Sequence, residues 1–237
     1  MTTENIKLYK DNDKINHRNI DTYKDNIKEL ADKIRNSDKL DADCFLLQNV
    51  VKHEEKIYTP NHSKCDFMTS KRESNKPTEK RLCRCMKYYD SNECKDCVFE
   101  QKMELMNFER YKITDYEVPM KYAMDEVGCI DIEIYDKKTG ITYATEVKPE
   151  GSSETLVRMI AEILTYTIGK VSDMYKPAIC FFANSKQEKD FCNREIYEDE
   201  DFKYLLSLVD VFYITYKLED NIAQYTIHNN LEKPLWK

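Results

Sequence analysis

The stretch that decides the fold reads GCIDIEIYDKKTGITYATEVK, residues 128–148. Residues alternate across a strand, so Ile130, Ile132 and Ile134 share one face. Cys129, Asp131, Glu133 and Tyr135 share the other. The polar run Asp136 to Gly140 is a turn, and Ile141 to Lys148 reads as a second strand antiparallel to the first. On that strand Thr142, Ala144, Glu146 and Lys148 point the same way. The short turn brings Asp131 across the hairpin toward Glu146. Two converging carboxylates suit a hard divalent cation with oxygen ligands. A lysine two residues on can orient a water and stabilise developing negative charge.

Working outward, Ser152 or Ser153 can cap a helix running to about Ile168, with Val157, Ile160, Ala161, Leu164 and Ile168 as its buried stripe. Pro177 to Ala183 is a continuous apolar run, as in a strand covered on both faces. A polar helix follows, then a helix near Asp201–Leu208 and two strands, Val211–Lys217 and Ala223–His228. Upstream, Lys112–Val118 reads as a strand ending at Pro119. Asn92–Arg110 reads as a helix with Val98, Phe99, Met103 and Met106 inward. Residues 19–37 carry Ile20, Tyr23, Ile27, Leu30 and Ile34 at helical spacing, and residues 43–56 suggest another helix. Residues 69–81 read as a polar loop. From residue 98 on, the order is helix, three strands, helix, strand, a mixed sheet sandwiched by helices.

These residues resemble the PD-(D/E)xK nuclease superfamily. Gly128-Cys129-Ile130-Asp131 is followed, after fourteen intervening residues, by Glu146-Val147-Lys148. The resemblance spans roughly Phe99–Ala183. It implies an α/β fold with a restriction-endonuclease-like αβββαβ core. It also implies a metal-dependent endo- or exonuclease that hydrolyses phosphodiester bonds of DNA, RNA not being excluded. In that family the aspartate and glutamate hold Mg²⁺ or Mn²⁺ together with the carbonyl of the intervening residue, here Val147. The lysine assists the attacking water. A glutamate on the helix before the first strand often completes the site, and Glu104 is the candidate, with Glu100 and Glu109 as neighbours. The RecB-type subset carries Gln-x-x-x-Tyr on the following helix. Here Glu162 and Tyr166 stand at that spacing, Glu replacing Gln, as candidate supporting residues.

The chain has nine cysteines. An odd number beside a polar N-terminus argues against a disulfide framework and for metal binding. Cys83, Cys85, Cys94 and Cys97 offer four thiolates of the kind that hold a structural Zn²⁺. His62 and Cys65 could replace one pair, and an iron–sulfur cluster or free thiols are the alternatives. The expected organisation is a helical region at 1–82, a zinc-knuckle-like cluster at 83–97 and the nuclease-like unit at 98–237.

The chain of 237 residues carries a formal net charge of −7, which by itself disfavours a phosphate-rich partner. Yet residues 69–88 hold Lys71, Arg72, Lys76, Lys80, Arg81, Arg84 and Lys87 against only Glu73 and Glu79. Lys71, Arg72, Lys80, Arg81 and Arg84 are the candidate nucleic-acid contacts, with Tyr88 and Tyr89 as stacking aromatics. Only four glycines occur, so no phosphate-cradling loop is present. No apolar run is long enough to span a bilayer, and a cytoplasmic location is the expectation. Duplex cutters often pair, so a homodimer is one expected assembly. The competing reading is a non-catalytic nucleic-acid or protein-binding module on the same fold.

Overall fold

The computed structural model describes residues 19–36, 79–88, 102–119, 129–167, 171–219 and 222–229. The helix expected at 43–56 lies outside them, as do Asn92–Gln101, His62, Cys65, Lys71, Arg72, Tyr89, Cys94 and Cys97. Six helices and seven strands are described: α1 (Ile20–Asn36), α2 (Glu79–Tyr88), β1 (Lys102–Leu105), β2 (Tyr111–Pro119), β3 (Cys129–Asp136), β4 (Ile141–Lys148), α3 (Leu156–Thr167), β5 (Tyr175–Phe182), α4 (Lys186–Phe191), α5 (Arg194–Tyr197), α6 (Glu200–Ser207), β6 (Asp210–Glu219) and β7 (Ile222–Asn229). The strands form one mixed sheet in the order β1-β7-β6-β5-β4-β3-β2. Strands β2, β3 and β4 make an antiparallel meander. The crossover through α3 then sets β5 parallel to β4, and β6 runs parallel to β5.

The hairpin forms as its alternation requires. Asp136 opposes Ile141, and Ile132 opposes Thr145. Gly140 takes φ +75 at the turn, a conformation that costs a Cβ-bearing residue energy. The Asp136 carboxylate accepts from the Lys138 amide and from Arg110, which fixes the turn from below. Ile132 and Ile134 enter one core with Tyr143, Val147, Ala178, Cys180, Phe212, Ile214 and Tyr225, covered by Leu82, Cys83 and Met86 of α2. Ile130, nearer the strand's start, packs instead with the helices of the other core. That second core joins Ala144, Ile179 and Phe181 to α1, α3 and the α4–α6 segment. Helices therefore cover both faces of the sheet.

The upstream region and the start of α3 differ from the expectations. Residues 102–105 are a strand, β1, paired in parallel with β7, and 106–110 are a turn. Asn107 decides this locally. Its side-chain amide donates to the Ile227 carbonyl and accepts from the Ile227 amide, continuing the ladder beyond the strand. Met106, read as inward, is 51% exposed. The polar loop ends before Glu79, where α2 begins. Helix α2 packs into the same core as the sheet, so the proposed boundary at 82/83 falls inside one packed helix. Helix α3 starts later than expected: Thr155 Oγ1 accepts from the Arg158 amide, as an N-cap does, while Ser152 Oγ accepts from Glu154 N.

Phe212 is fully buried, edge-on to both Tyr111 and Tyr143. Phe212→Ala should cost about 3–5 kcal/mol of unfolding free energy, read from the midpoint of a urea titration followed by circular dichroism.

Candidate metal centre

The site forms where the C-terminal end of β4 meets β3 on one side and helices on both sheet faces. Glu146 is 2% exposed and Lys148 is 3% exposed. Asp131 keeps part of its surface open. Its Oδ2 accepts from the Val147 amide at 2.7 Å, which locks the aspartate against β4. The Lys148 ammonium lies 2.7 Å from Glu146 Oε1 and 2.8 Å from Glu79 Oε2. Two longer contacts follow, to Glu154 Oε2 at 3.3 Å and Glu162 Oε2 at 3.8 Å. Arg158 donates to Glu162 Oε1 through Nε at 2.8 Å and Nη2 at 2.5 Å. Five carboxylates thus surround two cationic side chains.

The structure brings the candidate residues Asp131, Glu146, Lys148 and Glu162 together in one cluster. Glu104 is a correction: it is exposed on β1, at the sheet edge four strand spacings from β4. At ~4.8 Å per spacing that is roughly 19 Å, beyond any side chain's reach. Glu109 is exposed in the turn before β2. The helical glutamate that does reach the centre is Glu79, on α2. Glu154 and Arg158 were missed as well. The signal for Glu154 was its place in the loop just before α3; the signal for Arg158 was its i,i+4 spacing to Glu162. Tyr166 is buried in the helical core. Val147 turns its side chain into the opposite core.

The electrostatics are those of an acid cluster short of positive charge. Burial, then the charge of Glu79, raises Asp131 to about 8. Burial and the Asp131 charge push Glu146 well above its ordinary value. Burial raises Glu79, against the lowering pull of Lys148. Burial works to lower Lys148, but Glu146, Asp131, Glu79 and Glu154 outweigh it and hold the ammonium charged. Ligand oxygens of Glu79, Asp131 and Glu146 lie within 4.8 Å of one another. Opposite ligands of a cation bound at about 2.1–2.4 Å are separated by about 4.2–4.8 Å. An all-carboxylate set of this span could hold one hard divalent cation.

Of the four cysteines expected to hold zinc, Cys83 and Cys85 lie on α2, about 160° apart around its axis, with Cys83 buried and Cys85 half-buried; Cys94 and Cys97 lie outside the described residues. Burial and the nearby Asp131, Glu79 and Glu146 push the Cys83 thiol well up. Among the described residues, the groups spaced to hold a metal are carboxylates.

Of the candidate nucleic-acid contacts, only the Arg84 side chain is among the described residues. The side chains of Lys80 and Arg81 lie outside the described residues. The Arg84 guanidinium stands over the Tyr116 ring at 5.5 Å. Lys87 donates to the Thr114 carbonyl on β2. Tyr88 is buried edge-on to Tyr116, so it is no stacking platform. Glu133 accepts from the Tyr175 hydroxyl at 2.9 Å, away from the cluster. Among the described residues no helix is long and apolar enough to cross a membrane. No family model, curated protein or solved structure matches the chain.

The raised carboxyls set a pH dependence. An acid whose folded pKa is raised adds stability that is fully present below its unfolded value, ~4. That stability is lost as pH rises through the folded value, about 8 for Asp131. Lys148 adds a constant amount across this window, because both its values lie above it. In EDTA, stability should therefore fall between about pH 4 and 8, by up to ~1.4 kcal/mol per pH unit for each proton released. Asp131→Asn should flatten the slope and added Mg²⁺ should reverse it, both read from urea unfolding at several pH values.

Proposed function

We propose that the chain is a divalent-cation-dependent nuclease of the PD-(D/E)xK kind, with a restriction-endonuclease-like core and DNA as its substrate. The observation that carries the reading is the convergence of Asp131, Glu146 and Lys148 on the β3–β4 hairpin. The strand order around them adds support: three antiparallel strands, a crossover helix and a parallel strand. Asp131, Glu146 and Glu79 would hold the cation, Glu79 standing where Glu104 was expected. When bound, Mg²⁺ or Mn²⁺ polarises a phosphodiester and makes a coordinated water more acidic.

The chain's own residues do the positioning. The Val147 amide orients the Asp131 carboxylate toward β4. Lys148 stays protonated, so it acts by donating hydrogen bonds to a water and to developing negative charge, not by taking a proton. Glu79 and Glu146 fix that ammonium with two short ion pairs. Arg158 holds Glu162 so that its second oxygen faces Lys148. A buried carboxylate cluster repels phosphate by itself, and a divalent cation would offset most of that repulsion and present a positive charge locally. The −7 net charge is in this way compatible with a nucleic-acid substrate.

The test is Mg²⁺-dependent cleavage of end-labelled single- and double-stranded DNA and RNA by the full chain. Asp131→Ala and Lys148→Ala should each lower the rate about a hundredfold or more, with far-ultraviolet circular dichroism reporting that each is folded at the assay temperature and Lys148→Ala showing a lower urea midpoint, because it leaves buried carboxylates facing one another. Glu79→Gln should also slow cleavage, and Glu104→Gln should leave it at the wild-type rate. Undiminished cleavage in the Asp131 and Lys148 variants overturns the assignment. Binding without turnover in the wild type would favour a non-catalytic module.

A further inference from the structure

Among the described residues, the large apolar side chains exposed to solvent are Met106, Phe108, Val171, Met174 and Tyr216. The first four sit in turns at the end of the sheet opposite the carboxylate centre. There the Lys137 amide donates to the Arg110 carbonyl and the Thr142 amide to the Met174 carbonyl. Tyr216, 47% exposed, lies late on β6, which runs parallel to β5 as β5 does to β4. It therefore stands at the centre's own end. We propose that Tyr216 is a stacking platform for an unpaired base, which makes single-stranded DNA the substrate class of the centre. The proposal rests on the nuclease reading above and specifies its substrate.

The strand register gives the reach. Lys148 opposes Phe181, and Phe181 opposes Tyr213, so the three stand level on neighbouring strands. Tyr216 follows three residues later. At ~3.3 Å per residue and ~4.8 Å per strand spacing, its Cα lies roughly 14 Å from that of Lys148. About four stacked nucleotides cover that span at ~3.4 Å each. A strand with one phosphate at the centre can thus lay a base a few nucleotides away on Tyr216.

The ring is held in place. Its hydroxyl donates to Glu150 Oε2 at 2.7 Å, two residues after Lys148. Phe182 on β5 meets it edge to face, with ring centroids 6.0 Å apart. Nearly half of the residue still meets water. A ring already fixed loses little freedom when it binds. Charge favours the same mode of recognition. Lys148, Arg158 and Lys217 each pair with a carboxylate, and a π-face holds any base without positive charge. Presenting a base from a duplex costs unpairing and unstacking energy, whereas an unpaired base is already available.

The experiment measures binding of a fluorescein-labelled 12-nucleotide single strand and of its duplex by anisotropy, with the full chain and Ca²⁺ in place of Mg²⁺. The wild type should bind the single strand more tightly than the duplex. Tyr216→Leu should weaken single-strand binding about 5- to 150-fold and leave duplex binding unchanged. Tyr216→Phe keeps the ring but loses the bond to Glu150, and should stay within about twofold of the wild type. In cleavage with Mg²⁺, Tyr216→Leu should raise KM for the single strand and leave kcat unchanged. Circular dichroism confirms that each variant is folded. Wild-type single-strand affinity in Tyr216→Leu overturns the platform. So does an equal loss in Tyr216→Phe, because the residue would then act by anchoring Glu150. Cleavage by the wild type in either case leaves the nuclease reading standing. A wild type that shows the stacking-dependent binding but no turnover keeps the platform and overturns the nuclease reading. A wild type that binds no single strand overturns the platform.

Discussion

The burial of one ammonium organises this molecule. Moving a charge such as Lys148 out of water costs several kcal/mol unless close opposite charges offset it. Here the compensation comes from separate parts of the chain: Glu146 on its own strand, Glu79 on α2, Glu154 in the loop before α3 and Glu162 on α3. Helix α2 packs with one core and α3 with the other. The ion pairs of Lys148 therefore join elements from both layers at the end of β4. Fold and site are not separable there, since removing the lysine leaves buried carboxylates facing one another.

The same arrangement explains why the centre is suited to a cation. Five acids around two bases favour protonation, and burial with the charge of neighbouring acids raises Asp131 and Glu146. A divalent ion, if bound, would take over that role from the protons at higher pH. The location follows from topology. Strand β4 is antiparallel to β3 and parallel to β5, so the pairing mode changes at the strand that carries Glu146 and Lys148. In open α/β sheets, clefts form at strand C-termini beside such changes of direction. Here the centre sits at the C-terminal end of β4.

Local pattern was sufficient where contacts are local. The alternation in 129–136 and 141–148, with a turn too short for any other pairing, specified the hairpin and the approach of Asp131 to Glu146. The 3.6-residue stripe of α1 specified Tyr23, Ile27, Leu30 and Ile34 as its buried face, all of which are buried. Pattern failed where a distant partner decides. Residues 102–105 are too few to distinguish strand from helix, and their pairing with β7, over a hundred residues later, supplies the answer. The charge of Arg84 and the aromaticity of Tyr88 are visible in sequence. The face on which α2 docks, setting both against Tyr116, is not.

The sequence by itself determined the hairpin, the crossover helix and the triad Asp131, Glu146 and Lys148, because strand periodicity and a five-residue turn leave those residues one arrangement. Only the tertiary structure decided which other acids join them. Glu79, 52 residues before Asp131, reaches the centre because α2 lays Leu82, Cys83 and Met86 on the sheet. Glu104 is excluded because the sheet carries its strand to the far edge. Carboxylates are common in a chain that is one-third charged. What selects a few of them for a buried centre is the packing of apolar faces far from them in sequence.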